Sequence, residues 1–196
     1  MSALPEPALR WPAARLSAET FQATIEDRPD EERWQLIDGR PFLMMNPPTL
    51  VHQRISLNLA RHLNDALEGA GHDLFAMIEI GLMIEGLDDF RPIADVAVVG
   101  GSVERVHYAR DFHLAAEVLS PSNTSEMIGR KRELYARAPD CLHVLILHQT
   151  EACAEVWSRA DGWRGRVFRS IEDRIALPEF GFDRRLGDLY KGTPVR

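Results

Sequence analysis

The sequence predicts an α/β fold in which a mixed β-sheet is flanked by a few helices. Two observations carry this prediction. Short apolar runs typical of strands recur along the chain, and several of them are followed by turn residues such as Asp-Gly or Gly-Gly. Between these runs lie segments whose apolar residues recur at helical spacing. Because the two kinds of segment are interspersed, we expect one sheet that packs against helices.

The elements follow in chain order from local pattern. A short helix is predicted over residues 17–26, and two strands then meet at Asp38-Gly39, a strong hairpin signal. A long helix carries apolar residues at spacing four from Ile55 and is predicted to end at Gly69. A third helix is predicted to start at the capping-box-like residues 123–126. The further predicted strands are DLFAMIEIGLMIEG, PIADVAVVGG, FHLAAEVL, CLHVLILH, EACAEVWS and WRGRVFRS.

Length and composition indicate a single domain over residues 1–196, of which residues 1–16 are expected to be a flexible N-terminal segment. No apolar run approaches the roughly 18 residues that a membrane span needs, and no signal-peptide pattern opens the chain, so a cytoplasmic protein without a membrane partner is expected. The two cysteines, Cys141 and Cys153, lie in strand-like runs and show no metal-ligand spacing. We expect both to be reduced core residues.

The charge balance argues against broad adhesion to nucleic acid. The net charge is -7 and the isoelectric point is near 5.5, whereas nucleic-acid-binding domains are usually basic. A local basic groove remains compatible with this balance. Arg130, Lys131, Arg132 and Arg137 make one basic helix, although most such charge runs are solvated faces.

Three charged residues break the local pattern around them. Asp95 and Glu117 each stand inside an apolar strand run, and Lys131 lies at the centre of the apolar stripe of the third predicted helix. Burying an isolated charge is costly, so buried charges are usually paired or bind a cation. If the strands of Asp95 and Glu117 are neighbours, the two carboxylates can share one divalent ion, with Lys131 directed at the same cluster.

Such a cluster suits the hydrolysis of phosphodiester bonds. Mg²⁺ prefers oxygen ligands, lowers the pKa of bound water and neutralises phosphoryl charge, while an ammonium group orients the nucleophile or stabilises the transition state. Structural alternatives stay open at this point. Asp95 could cap a turn at the strand end, Lys131 could extend out to solvent, and Glu117 and Lys131 could form an ion pair with no further role.

Five segments carry a resemblance to a known family: WQLIDG, HQRI, ADVAVV, EVLSPS and KRELYARA. Together they resemble the Uma-two family of endonucleases, a branch of the restriction-endonuclease-like PD-(D/E)xK superfamily, over residues 33–147. EVLSPS followed by KRELYARA is the specific part. The resemblance implies a restriction-endonuclease-like mixed sheet flanked by helices.

The resemblance also implies roles for individual residues. Asp95 and Glu117 match the two acidic motif positions, and Val118 would offer its backbone carbonyl to the metal. The lysine of the family matches Lys131 on the following helix, since position 119 is Leu. Gln35 would help to orient the attacking water.

Several positions depart from the family pattern. Ala94 stands where proline is usual, Gln35 where the first hairpin usually has Glu, and Met127 where an Asp is usual. Gln35 can still ligate through its carbonyl oxygen, but it lowers the negative charge of the site. His52 lies in a matching segment, on the side of the first long helix that carries Ile55.

The leading hypothesis is a Mg²⁺-dependent, or Mn²⁺-dependent, endonuclease with a degenerate site that cleaves DNA through Asp95, Glu117, Lys131 and Gln35. The resemblance further implies a homodimer, because cleavage of both DNA strands needs two active sites. A catalytically inactive module of the same fold that binds nucleic acid or a protein partner is the alternative. The basic helix with Arg130, Arg132 and Arg137 would then supply the binding surface.

Overall fold

The structure is a computed structural model that describes residues 15–26, 28–29, 32–44, 47–101, 105–120 and 125–195. Eleven strands, four α-helices and one short 3₁₀ helix lie within these ranges. In chain order they are α1 (Ala18–Ile25), β1 (Trp34–Ile37), β2 (Arg40–Leu43), α2 (Leu50–Ala70), β3 (Leu74–Leu82), β4 (Ile93–Gly100), β5 (Tyr108–Ala109), β6 (Phe112–Leu119), α3 (Ser125–Tyr135), β7 (His143–His148), β8 (Ala154–Ser158), β9 (Gly165–Phe168), β10 (Arg174–Leu177), the 3₁₀ helix (Pro178–Phe180), β11 (Phe182–Arg185) and α4 (Leu186–Leu189).

The central element is a mixed seven-stranded sheet with the strand order β5-β3-β4-β6-β7-β8-β9. Pairing is antiparallel from β3 to β4 and from β4 to β6, and it is parallel between β6 and β7. A parallel pair needs a crossover connection, and the segment containing α3 makes it. Two hairpins, β1-β2 and β10-β11, form separate two-stranded sheets.

Apolar clusters cover the two faces of the central sheet. On one face, α2 packs through Ile55, Leu59 and Leu63 against alternate residues of the strands, together with the C-terminal segment. On the other face, α3 contributes Leu134 and Tyr135, and the first hairpin contributes Ile37. This arrangement brings the first hairpin and α3 to the same side of the sheet.

The predicted fold class is confirmed, as are the first hairpin and the short helix predicted over residues 17–26, which spans Ala18–Ile25 with Ser17 and Glu26 as its caps. Asp38 and Gly39 both have positive φ, at 51° and 71°, as a two-residue hairpin turn of the primed type requires. The predicted end of α2 at Gly69 is wrong. The helix continues to Ala70, and Gly71 caps it in the left-handed conformation, which is where glycine is needed. No helix in the described part of the chain has the length and hydropathy of a membrane span.

Some elements escaped prediction and others fall outside the described ranges. The two-residue strand β5 and the hairpin β10-β11 are too short, or too polar, to stand out as strands. The C-terminal run FDRRLGDLY contains β11 and α4. Residues 1–14 of the expected flexible segment lie outside the described residues, and so do residues 123 and 124 of the expected capping box.

The two cysteines are free and buried, as expected. Burial raises the pKa of the Cys141 thiol to about 12 and also raises the pKa of Cys153. Because the thiolate is the reactive form, we expect neither cysteine to react with a water-soluble disulfide reagent at pH 8 in the folded protein. Both should react once urea unfolds the chain. Rapid reaction of one thiol in the folded state would contradict this burial.

Candidate active site

Asp95 and Glu117 lie opposite each other on neighbouring strands. Val96 of β4 pairs with Ala116 of β6, so continuing this antiparallel register by one residue brings Asp95 beside Glu117. Residues opposed in this way project from the same face of a sheet. The Val118 N–H donates a 2.6 Å hydrogen bond to Asp95 Oδ2, which links the two strands at this end.

Lys131 is directed at Glu117 and does not extend to solvent. Its Nζ lies 2.6 Å from Glu117 Oε1, and the two side chains are only 3% and 6% exposed. The same ammonium donates to the backbone carbonyl of Ile93 at 2.9 Å. The helix position predicted to be buried is therefore buried, and the charge there has both an anionic and a neutral acceptor.

Tyr135 supports this ion pair from one turn further along α3. Its hydroxyl donates to Glu117 Oε1 at 2.7 Å, and its ring packs edge-on against Phe90 and Phe112. Burial raises the pKa of Tyr135 well above its usual range, and the charge of Glu117 adds to this effect, so the hydroxyl keeps its proton and acts as a donor. Burial also raises the pKa of Glu117, although Lys131 opposes that rise.

Replacing Tyr135 by Phe removes a hydrogen bond to a charged group and keeps the ring packing. We expect the free energy of unfolding to fall by about 1.5–3 kcal/mol, the range for hydrogen bonds to charged groups. Urea unfolding followed by tryptophan fluorescence would measure the loss. Tyr108, which lies half-buried on β5, offers a matched Tyr→Phe control. Equal stability of wild type and the Tyr135 variant would show that this bond does not stabilise Glu117.

His52 reaches the site from the first turn of α2. Its Nε2 lies 3.2 Å from Asp95 Oδ2, and the His52 side chain is 9% exposed. Burial by itself lowers the pKa of His52, but the hydrogen bond and charge of Asp95, with the charges of Glu117 and Glu79, outweigh burial and raise it. Sequence reasoning left the role of His52 open, and the structure puts it in contact with a predicted site residue.

Gln35 and Met127, two of the three departures from the family pattern, lie on the same side of the sheet. Gln35 and Ile37 are two residues apart on β1, so their side chains project to the same side. Ile37 packs in the apolar cluster that contains Leu134 and Tyr135. The Gln35 side-chain oxygen, Oε1, is buried and has no hydrogen-bond partner within the described residues. Met127 packs at the edge of the same cluster. A buried amide oxygen without a donor can still accept a hydrogen bond or bind a cation.

The predicted metal ligands fit a divalent cation in part. Within the described residues, Asp95 accepts hydrogen bonds through Oδ2, and Glu117 contacts Lys131 and Tyr135 through Oε1. The other oxygen of each carboxylate is left to bind a cation. The N–H and C=O of a strand residue point to the same side, so Val118 presents its carbonyl toward Asp95. Within the described ranges, no group of three or more His, Cys, Asp or Glu side chains is arranged to hold a metal ion. The candidate metal ligands are therefore two carboxylates together with backbone or amide oxygens.

The arginines of the basic helix are less available for binding a partner than the sequence indicates. Arg130 makes a bidentate pair with Asp38 in the first hairpin turn, with both nitrogen–oxygen distances at 2.7 Å. The Arg132 guanidinium lies 3.9 Å from the centre of the Trp157 ring. Arg137 is exposed. Two of the three arginines thus make contacts within the protein, which weakens the expectation that the three form a binding surface.

The fold, a mixed seven-stranded sheet flanked by helices, is of the restriction-endonuclease-like class. The chain belongs to the Uma2 family, whose model, described as "Putative restriction endonuclease", matches residues 18–186. This confirms the resemblance seen in the sequence. Comparison with curated proteins gave no match.

A solved structure shares the fold. It is described as "a putative nuclease belonging to DUF820" from Anabaena variabilis, and it superimposes with a TM-score of 0.73 over 89% of this chain and 97% of that chain. The two sequences are 14% identical, so the likeness concerns the fold alone.

Proposed function

We propose that this protein is a metal-dependent endonuclease that hydrolyses phosphodiester bonds of DNA. The observation that carries the proposal is the convergence of Asp95, Glu117 and Lys131, from two strands and a helix, at one end of the sheet. A buried ion pair with a further carboxylate beside it is an arrangement often found at catalytic sites, where burial and charges shift pKa values. Membership in a family described as restriction endonucleases supports the same reaction class.

In this mechanism, Asp95, Glu117 and the Val118 carbonyl would hold Mg²⁺, or Mn²⁺ in its place. The bound ion would supply an activated water and neutralise charge on the phosphoryl group. Lys131 offsets the negative charge of Glu117, and its ammonium supplies positive charge for the transition state. Tyr135 fixes the Glu117 carboxylate, and Gln35 provides an uncharged oxygen that can orient water. Since each copy would have one such centre, we propose a homodimer for cleavage of both strands.

Cleavage of supercoiled plasmid tests the proposal. The purified protein should convert the plasmid to nicked and linear forms with Mg²⁺ or Mn²⁺, and excess EDTA should stop the reaction. Mn²⁺ should also raise the melting temperature of the DNA-free protein, since a ligand of the native state stabilises it by mass action. Absence of both cleavage and a metal-induced shift would reject the proposal. Retention of plasmid in a binding assay would then favour the inactive binding module.

A further inference from the structure

One edge of the central sheet is open along most of β3. In the strand order β5 is the outermost strand, but it pairs with β3 only at Gly81 and Leu82. Within the described residues, the earlier part of β3 has no strand on that side. An open edge of this kind presents N–H and C=O groups with which another extended chain can pair.

Asn64 of α2 contacts the middle of this open edge. The Ala76 N–H donates a 2.8 Å hydrogen bond to Asn64 Oδ1, and Asn64 Nδ2 donates to the Ala76 carbonyl oxygen at 3.0 Å. The N–H and C=O of one residue in an antiparallel strand point to the same side. Because both groups of Ala76 bond to Asn64, they point away from β4. The side-chain amide therefore makes the two hydrogen bonds that a paired strand would make there.

The side chains along this edge are apolar and partly exposed. From Leu74 to Ile78 the strand reads LFAMI and contains neither a charged residue nor a proline. Phe75, Met77 and Ile78 are 41%, 36% and 44% exposed. Leu74 and Ile78 alternate with Ala76, so their backbone groups face the same open edge. Uncharged segments with high strand propensity pair readily with one another when an edge is exposed.

The opposite edge of the sheet, formed by β9, is charged. Arg166 lies within β9, and Arg164 and Arg169 flank it. All three arginines are exposed. Charged side chains on an edge strand oppose pairing with another chain. A second copy of the protein would therefore meet a charged edge at β9 and an uncharged one at β3.

We propose that Asn64 caps the outer edge of β3 and prevents this strand from pairing with β3 of a second copy of the chain. The proposal is independent of the function proposed above. Antiparallel pairing of two identical strands about a two-fold axis is self-complementary. Between Leu74 and Ile78 such pairing would bring no like charges together and would cover exposed apolar side chains. Asn64 blocks it by binding the backbone groups of Ala76.

A matched pair of alanine substitutions tests the cap. Asn64→Ala removes both hydrogen bonds to Ala76, so sedimentation equilibrium should give a mass at least about twice that of wild type, increasing with protein concentration. Asn58→Ala, on the same helix, also removes two hydrogen bonds to the backbone, those to the carbonyl oxygens of Leu189 and Lys191. These bonds lie away from the sheet edge, so Asn58→Ala should keep the wild-type mass.

A charge added to the opened edge shows where the copies meet. Ile78→Lys, combined with Asn64→Ala, places a positive charge on the edge of both copies and should restore the wild-type mass. Association that persists in this double variant would place the contact on another surface and would overturn the proposal. A wild-type mass for Asn64→Ala would also overturn it. Equal association of Asn64→Ala and Asn58→Ala would show an effect of lost stability and would reject the cap as well.

Hydrogen exchange of the wild-type protein tests the cap even if Asn64→Ala does not fold. The Ala76 amide should exchange more slowly than the amides of Leu74 and Ile78 on the same edge, because Asn64 accepts a hydrogen bond from Ala76. Equal exchange rates at the three amides would show that Asn64 does not protect this edge.

Discussion

Replacing Lys131 by Met should lower the free energy of unfolding by about 3–5 kcal/mol near pH 8, the usual cost of removing one partner of a buried ion pair. Among the described residues, the Glu117 side chain, 6% exposed, would then keep the Tyr135 hydroxyl as a hydrogen-bond donor but would have lost its ion-pair partner. Methionine fills nearly the same volume as lysine, so the loss reports charge and not a cavity. Urea unfolding would measure it. Lys191, the other lysine of the chain, is exposed, and Lys191→Met is the matched control.

The loss should depend on pH in a defined direction. Burial raises the pKa of Glu117 above its usual range, and Lys131 is the main group that opposes the rise. A carboxyl whose folded pKa is raised contributes stability below its unfolded pKa and loses that contribution as pH rises through the folded pKa. Without Lys131, the pKa of Glu117 in the folded protein rises further, so ionisation of Glu117 costs more stability. The gap between wild type and Lys131→Met should therefore be smaller near pH 5 than near pH 8.

A double variant tests the coupling of the two residues. Glu117→Gln combined with Lys131→Met removes both charges, so its stability should exceed the value expected from adding the two single losses. Its difference from wild type should also change less with pH. Additive losses with no pH dependence would show that the two charges do not interact, contrary to their 2.6 Å separation.

Replacing Asp95 by Asn should reduce Mg²⁺-dependent cleavage at least about a hundredfold, because metal coordination is worth several kcal/mol in the transition state. Asparagine keeps an oxygen that can accept the Val118 N–H, so the folded state should lose only about 1 kcal/mol. Plasmid nicking under single-turnover conditions would measure the rate, and urea unfolding the stability. Asp140→Asn, at an exposed position after α3, is the matched control.

A variant of Asp95 that stays folded and cleaves at the wild-type rate would exclude Asp95 from the centre. In that case the pair of Glu117 and Lys131 would have a structural role only. Loss of cleavage in Asp95→Asn, together with retained cleavage in Lys131→Met, would instead restrict catalysis to the carboxylates.

The hydrophobic pattern within a single helix or strand was enough to identify Lys131, Asp95 and Glu117 as charged residues at buried positions. The helical period placed Lys131 among apolar residues, and the structure buries it there beside Glu117. Apolar strand runs likewise singled out Asp95 and Glu117.

The remaining contacts depend on how distant segments pair. Asp95 and Glu117 come together only because β4 and β6 are neighbours, with β5 inserted between them in the chain. Asp38 and Arg130 are 92 residues apart, so no local pattern could show that this arginine is already paired. The left-handed backbone of Glu79 within β3, with φ at 50°, is likewise a property of the folded sheet. The catalytic roles of Asp95, Glu117, Lys131 and Gln35 stay predictions.

The pairing of Asp38 with Arg130 has a consequence for how the protein is made. During synthesis, the neighbouring residues of the first hairpin are complete early. The Asp38–Arg130 ion pair, which joins the hairpin to α3, can form only once residue 130 has been added, 92 residues later. Lys131 arrives on the same helix. Until then Glu117 has no cation, and burying its charge is costly. Docking of the hairpin on α3 thus waits for residue 130, and closure of the sheet around Glu117 waits further for β7, which pairs beside Glu117 through Ile146.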